Sequence, residues 1–223
     1  MLRLEKSMLE IEPYNAQCAR WPTMGRALLA QHDETSVIVY QAYHPRIGRA
    51  AASTGRFGEG WSRTRMSWIK PSFLWMMFRS GWGTKQDQEV VLAIRMKREG
   101  FDWILKEAVH SSYAAEVYGT REAWASAVRR SDVRLQWDPD HAPGGAKVER
   151  RAIQLGLRGQ ALAHFADEWI VGLEDISGFV AEQRRHAQEG DFARLVTPRE
   201  KVYPVMDPAV ARKLGLKEQE GSG

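Results

Sequence analysis

Ser36–Tyr43 reads SVIVYQAY, a run of β-branched and aromatic side chains that follows the polar residues His32, Asp33 and Glu34. Side chains branched at Cβ are crowded in a helix and pack well on a pleated surface, so the stretch predicts a strand. Working outward, Pro45 suits the first turn of a helix running through Ala50–Ala52, and Gly55 suits its left-handed cap. Gly55–Gly60 (GRFGEG) is then a loop, and it matches neither G-x-G-x-x-G nor a Walker loop. Pro71 opens a second short helix to Phe78, stopped near Gly81. Its residues Phe73, Leu74, Trp75, Met76, Met77 and Phe78 are apolar all round, which predicts burial.

Val90–Met96 predicts a strand, and Phe101–His110 a helix with Phe101, Ile104, Leu105 and Ala108 on one face. Thr120 is placed to cap a helix reaching Arg130. Val133–Trp137 (VRLQW) alternates, with Val133, Leu135 and Trp137 on one side, and Ala152–Leu157 repeats the pattern with Ile153, Leu155 and Leu157. The opposite face carries Arg134, Gln136 and Gln154, either wet surface or the floor of a cleft. Helices follow over Gly159–Val171 and Ser177–Gln188, the latter ended by Gly190. After Pro198 the chain is polar and punctuated by proline, and Lys217–Gly223 is expected to be disordered. The fold class is mixed α+β: a central, largely antiparallel sheet, whole or split, flanked by helices in a single domain. Residues 1–30 read as an N-terminal extension, 31–205 as the domain and 206–223 as a flexible tail.

At 223 residues, 43% apolar and 27% charged, the chain is long enough for a real core. Its longest apolar run, Phe73–Phe78, falls far short of the roughly 20 residues of a membrane span. Charges such as Glu5, Lys6, Glu10 and Glu12 interrupt the N-terminal stretch where a secretory signal needs an apolar core, so a cytoplasmic protein is expected. Cys18 is the single cysteine. That excludes an internal disulfide and a cysteine-based zinc cluster. The formal charge is +4, unevenly spread: residues 45–98 hold eight arginines and three lysines against Glu59, Asp87 and Glu89, a local +8, while the remainder nets −4. Clustered positive charge raises the local concentration of anions.

Trp61, Trp68, Trp75 and Trp82 recur every seven residues, yet Gly60, Pro71 and Gly81 break any helix long enough to use a heptad. What remains is density. Arg63, Arg65, Trp68, Lys70, Trp75, Arg79, Trp82 and Lys85 mix flat aromatic surfaces with cations, a combination suited to a nucleotide, a nucleic acid or an anionic aromatic molecule. Core packing is the simpler account of Trp75 and Met77. Tyr40, Gln41, Tyr43 and His44 end the first strand, where side chains reach a cleft; Tyr40 or His44 is the candidate proton-transfer group. His164 and Asp167 have i, i+3 spacing but no third metal ligand in view. Glu174 and Asp175 read as acidic charges at a helix start. No glycosidase pair, serine elbow or thiol–histidine motif is visible.

The stretches Ile38–Tyr43 (IVYQAY), Arg65–Gly81 (RMSWIKPSFLWMMFRSG), Val133–Pro139 (VRLQWDP), Ile153–Leu157 (IQLGL) and Glu168–Ile170 (EWI) together resemble the bacterial and fungal family catalogued as domain of unknown function 4291. The likeness spans about residues 30–205, and Ala142–Val148 (APGGAKV) is looser than the family's usual connection. A second resemblance is to the ADP-ribosyltransferase fold, whose split sheet holds NAD with motif residues on three separated strands. That resemblance implies Tyr40 or His44, a residue near Arg65–Trp68, and Gln154 as the three. The fold's usual glutamate is absent, so Gln154 in its place implies a glycohydrolase or a degenerate binder.

The leading expectation is a metal-free enzyme, with no cofactor, that binds an anionic or conjugated small molecule and works by proton transfer as a lyase, cyclase or group-transfer catalyst. Tyr40 or His44 moves the proton, Arg65 and Lys70 stabilise developing negative charge, and Trp68 stacks on the ligand. Gln136 and Gln154 orient it, with Gln41, Tyr43, Arg79 and Trp82 as further contacts. The alternatives are an NAD-binding ADP-ribosyltransferase-like enzyme and a nucleic-acid-binding module. A membrane partner is not expected, and the oligomeric state is left open.

Overall fold

Among the described residues, the two larger of four sheets are joined through one short strand and the residue that follows it. A computed structural model describes residues 7–216, with strands β1 (Ile11–Pro13), β2 (Gly25–Arg26), β3 (Leu29–Ala30), β4 (Ser36–Tyr43), β5 (Ser67–Ile69), β6 (Val90–Lys97), β7 (Val109–His110), β8 (Val133–His141), β9 (Lys147–Leu157), β10 (Ile170–Asp175), β11 (Val196–Pro198) and β12 (Lys201–Val202). One sheet is antiparallel, in the order β10–β6–β4. The other runs β2–β9–β8–β7, antiparallel at its β8–β9 centre and parallel where β2 and β7 join. β5 connects them: Ser67–Ile69 pairs with Leu157–Leu155 of β9, and the next residue, Lys70, exchanges backbone hydrogen bonds of 2.7 and 3.2 Å with Tyr40 of β4. The sheet is split, and β5 is the joint.

β4 begins from a turn tied by Asp33, whose Oδ1 accepts from the backbone N–H groups of Thr35 and Ser36. From Ser36 to Gln41 every residue is buried, because each face of the strand meets its own core. Val37 and Val39 pack in one core with Leu92, Ile94, Phe101, Leu135 and Leu155; Ile38 and Tyr40 pack in the other with Phe73, Met76, Val91 and Val180. A strand covered on both sides reads as a continuous apolar run, as SVIVYQAY does.

The helices fall close to their expected places. Pro45–Thr54 is closed by Gly55, φ 70°; Thr120 Oγ1 caps Arg121–Arg130 by accepting from Ala123 N; and Ser177–Glu189 ends at Gly190. The apolar helix spans Phe73–Ser80, two residues after Pro71, with Gly81 as its left-handed cap; it is buried except for Arg79 and Phe78, the latter 40% exposed. The helix expected over Phe101–His110 spans Arg98–Glu107, because Ala108 is extended and His110 pairs within β7. The helix expected to reach Val171 stops at His164, continues as one wide turn over Phe165–Trp169 and gives way to β10.

The sequence-based termini need the larger corrections. The described part of the expected N-terminal extension is built into the fold: β1 pairs with β11, β2 with β9 and β3 with β12, and Tyr14 and Trp21 are buried. The expected tail from residue 206 contains a helix, Pro208–Leu214, whose Val210 and Leu214 are buried. The expected disorder of Lys217–Gly223 lies outside the described residues. Among the described residues, no helix is long and apolar enough to cross a membrane.

Candidate functional site

Where the two sheets part beside β5, a cavity of about 700 Å³ opens, within the range of small-molecule sites. Its lining includes Gln41, Tyr43, His44, Arg65, Trp68, Lys70, Arg79, Gln136 and Gln154. The split therefore brings together nine of the eleven site residues expected from sequence.

At the end of β4 a chain of hydrogen bonds fixes one wall. Trp61 Nε1 donates to Tyr43 Oη (2.9 Å), Tyr43 Oη donates to Gln41 Oε1 (2.9 Å), and Gln41 Nε2 donates to Ser67 Oγ (2.7 Å) and Trp68 O (3.2 Å). Burial raises the Tyr43 hydroxyl above its ordinary pKa, against the lowering effect of Ser67 and Trp61. It stays protonated and serves as a donor.

Lys70 stands where β5 meets β4 and is 5% exposed. Its backbone is held by Tyr40, while its ammonium has no hydrogen-bond or ion-pair partner among the described residues. Burial, then the Arg79 guanidinium, push its pKa down to about 8 against the pull of Asp138. Near pH 8 a large share of the amine is neutral and available to take a proton. Arg65 and Arg79 are exposed, at the cavity's rim. Of the eleven cations between residues 45 and 98, five pair with carboxylates: Arg46, Arg63, Arg95, Lys97 and Arg98. Among the described residues six do not, and three of those six, Arg65, Lys70 and Arg79, line this cavity.

Gln136 and Gln154 face each other across β8 and β9. Each donates its amide to Asp138, at 2.8 Å to Oδ1 and 2.7 Å to Oδ2, which leaves both carbonyl oxygens as acceptors. Trp68 lies against the same strands, opposite Gly156. A Cβ at residue 156 would stand 2.6 Å from Met66 Sδ and 3.0 Å from the Trp68 ring, so the close approach of the indole to β9 needs glycine.

Two expected site residues lie elsewhere. Tyr40 is fully buried in the second core, its ring edge-on to Phe73 and its hydroxyl without a partner; on a strand covered on both faces it cannot reach the cavity. Burial, then the nearby Glu200, raise its pKa well above the ordinary value, so its hydroxyl stays protonated. Trp82 packs edge-on to Phe73 and donates to Pro143 O beside the β8–β9 turn. Of the proposed polar face, Arg134 is buried away from the cavity, donating to Ser131 O and Val128 O at a helix end. His44 lines the cavity, but its Nδ1 accepts from Arg46 N and so caps the following helix. His164 meets Glu168 and Asp167 meets Arg63, so the two do not form a pair. Trp61, Ser67 and Asp138 were not anticipated. Asp138 was within reach, since the alternation that places Gln136 on the cleft face places Asp138 there too. Among the described residues, no group of three or more His, Cys, Asp or Glu side chains is arranged to hold a metal ion.

The model of a family described as a domain of unknown function (DUF4291) matches residues 27–203. No curated protein matches the chain.

Proposed function

The chain belongs to the DUF4291 family, and we propose that it is an enzyme that binds a planar, anionic small molecule in the cavity and transfers a proton through Lys70. The observation that carries this reading is the unpaired, desolvated Lys70 amine sharing a cavity with Arg65, Arg79 and Trp68. Arg65 and Arg79 draw in the anion, Trp68 offers a stacking face, and Gln136 and Gln154 present carbonyls to donors on the ligand. With its pKa near 8, Lys70 takes a proton from carbon or oxygen and returns it, while the cations stabilise the charge that develops. Tyr43, held protonated, spends its one proton on Gln41 Oε1 and so fixes the wall of the site.

The experiment is a thermal-shift screen with AMP, NAD, 4-hydroxybenzoate and a single-stranded oligonucleotide at low and high salt. A ligand of the folded state raises the melting temperature by mass action. A salt-resistant rise with a small molecule, lost in Lys70→Met or Arg65→Ala, supports the reading. A rise only with the oligonucleotide, vanishing at high salt, replaces it with nucleic-acid binding. Release of nicotinamide from NAD would redirect the chemistry to glycosidic-bond cleavage in the same cavity.

A further inference from the structure

Trp68, Gln136, Asp138 and Gln154 share one face of the sheet, since Trp68 pairs with Gly156 and Gln136 with Gln154, and alternate residues of a strand point the same way. Asp138 is not part of the cavity's lining, but it holds the two glutamines that are. Its Oδ1 accepts from Gln136 Nε2 at 2.8 Å and its Oδ2 from Gln154 Nε2 at 2.7 Å. A carboxylate only accepts, so both amides turn their NH2 ends to it and their carbonyl ends away. Neither carbonyl oxygen has a hydrogen-bond partner among the described residues, and neither is sealed in the protein, so both open on the cavity that their side chains line. Donation to a negative charge also makes the carbonyl of the same amide a stronger acceptor.

Gln136 and Gln154 are direct cross-strand partners, and such side chains stand about 5 Å apart at Cβ. N–H···O bonds of about 2.9 Å put the two acceptors of one planar NH2 group about 5 Å apart as well. A hydroxyl has one proton to share between such a pair, and a carbonyl, ether or methyl group has none. Along β9, Gln154 lies two residues from Gly156, on which the Trp68 indole rests. That separation, about 7 Å, is one that a substituted aromatic ring covers.

We propose that Gln136, Asp138 and Gln154 form a specificity site for a planar NH2 group, so that the molecule bound against Trp68 is an anion whose ring carries an aromatic amine or a primary amide. The two carbonyl oxygens take the two protons of that group. An acceptor or an apolar group in its place leaves both oxygens unpaired, which is the basis of discrimination. Asp138 is a positioning residue: it acts by fixing which end of each glutamine the ligand meets. This deepens the proposed function and rests on it for the anionic part of the ligand; the NH2 site rests on the two glutamines and their carboxylate.

The test titrates the full chain with 4-aminobenzoate and with 4-methylbenzoate, which share a ring and a carboxylate and differ in the donor, while NMR follows the side-chain amides of Gln136 and Gln154. 4-Aminobenzoate is expected to bind about tenfold more tightly and to shift both amides. Arg65→Ala is expected to weaken both ligands and leave their ratio unchanged. Asp138→Asn lets one glutamine turn its NH2 end to the cavity, because asparagine both donates and accepts, and is expected to bring the ratio close to one. Gln154→Met removes one acceptor without touching Asp138 and is expected to lower the ratio about threefold. Equal binding of the two ligands in the wild type, or a ratio that survives Asp138→Asn, would overturn the NH2 site; the anion reading would still stand if Arg65→Ala weakened both. A tenfold ratio with affinities that Arg65→Ala leaves unchanged would overturn the anion reading and support the NH2 site. Saturable binding of neither ligand would overturn both.

Discussion

An ammonium group drawn largely out of water is disfavoured unless something compensates it, and at Lys70 the pull of Asp138 does so only in part. The sign of its effect on stability follows from its pKa, lowered from 10.5 to about 8. Below pH 8 the group is charged in both folded and unfolded states and the full penalty applies. Between 8 and 10.5 the unfolded chain holds more protons, so the penalty fades as pH rises. Lys70→Met, nearly the same shape, is therefore expected to stabilise the fold by about 1–3 kcal/mol at pH 7 and to abolish turnover. Denaturant melts at pH 7 and pH 10 check it, the gain shrinking at the higher pH. A variant less stable than wild type at pH 7 would mean that the ammonium has a partner. Residue identity was legible here because Lys70, Trp68 and Arg79 crowd one short stretch. Tyr40 misled because residue type alone does not say which face of a strand is covered, and Asp138 was passed over although its spacing from Gln136 repeats the alternation.

β5 has three residues, yet it sets the site. It carries Trp68 on β9 and hands Lys70 to β4, so anything that separates β5 from β9 moves both. Gly156→Ala is the sharpest probe, since its Cβ meets Met66 and Trp68. It is expected to lift the indole, weaken AMP binding about tenfold and destabilise the chain by about 1–3 kcal/mol; titration calorimetry and a thermal melt report the two separately. Unchanged AMP affinity would show that Trp68 is not a ligand face. Long elements with clear periodicity were legible: β4, β6, the β8–β9 pair and the capped helices. β10 was not. Its six residues include Gly172, which coincides with a register shift against β6, and they follow a helix by way of a single wide turn, so local pattern favoured extending the helix.

At the scale of the whole molecule, the split sheet places a cavity between halves that separate stretches of chain build. The sheet class and the cluster of cations and tryptophan were readable from local pattern; the joint at β5 was not, because it rests on pairings between residues far apart in sequence. The termini were underestimated for the same reason. Trp137 Nε1 donates to Leu214 O at 3.0 Å, and Val210 and Leu214 are buried against the first core. Deleting residues 207–223 is expected to remove about 3–5 kcal/mol of stability, the burial of two aliphatic side chains and one hydrogen bond, and to shift Trp137 fluorescence to the red. An unchanged melt would return this segment to the status of a tail.

The two sheets meet around a lysine whose amine, with a pKa lowered to about 8, is partly neutral near physiological pH. The direct measurement is a pH titration of the Lys70 side-chain resonance in lysine-labelled protein, assigned by its absence in Lys70→Met. A midpoint near 8, moving upward when AMP brings negative charge into the cavity, is the predicted result. A midpoint near 10.5, unmoved by AMP, would show a solvated lysine and contradict the account.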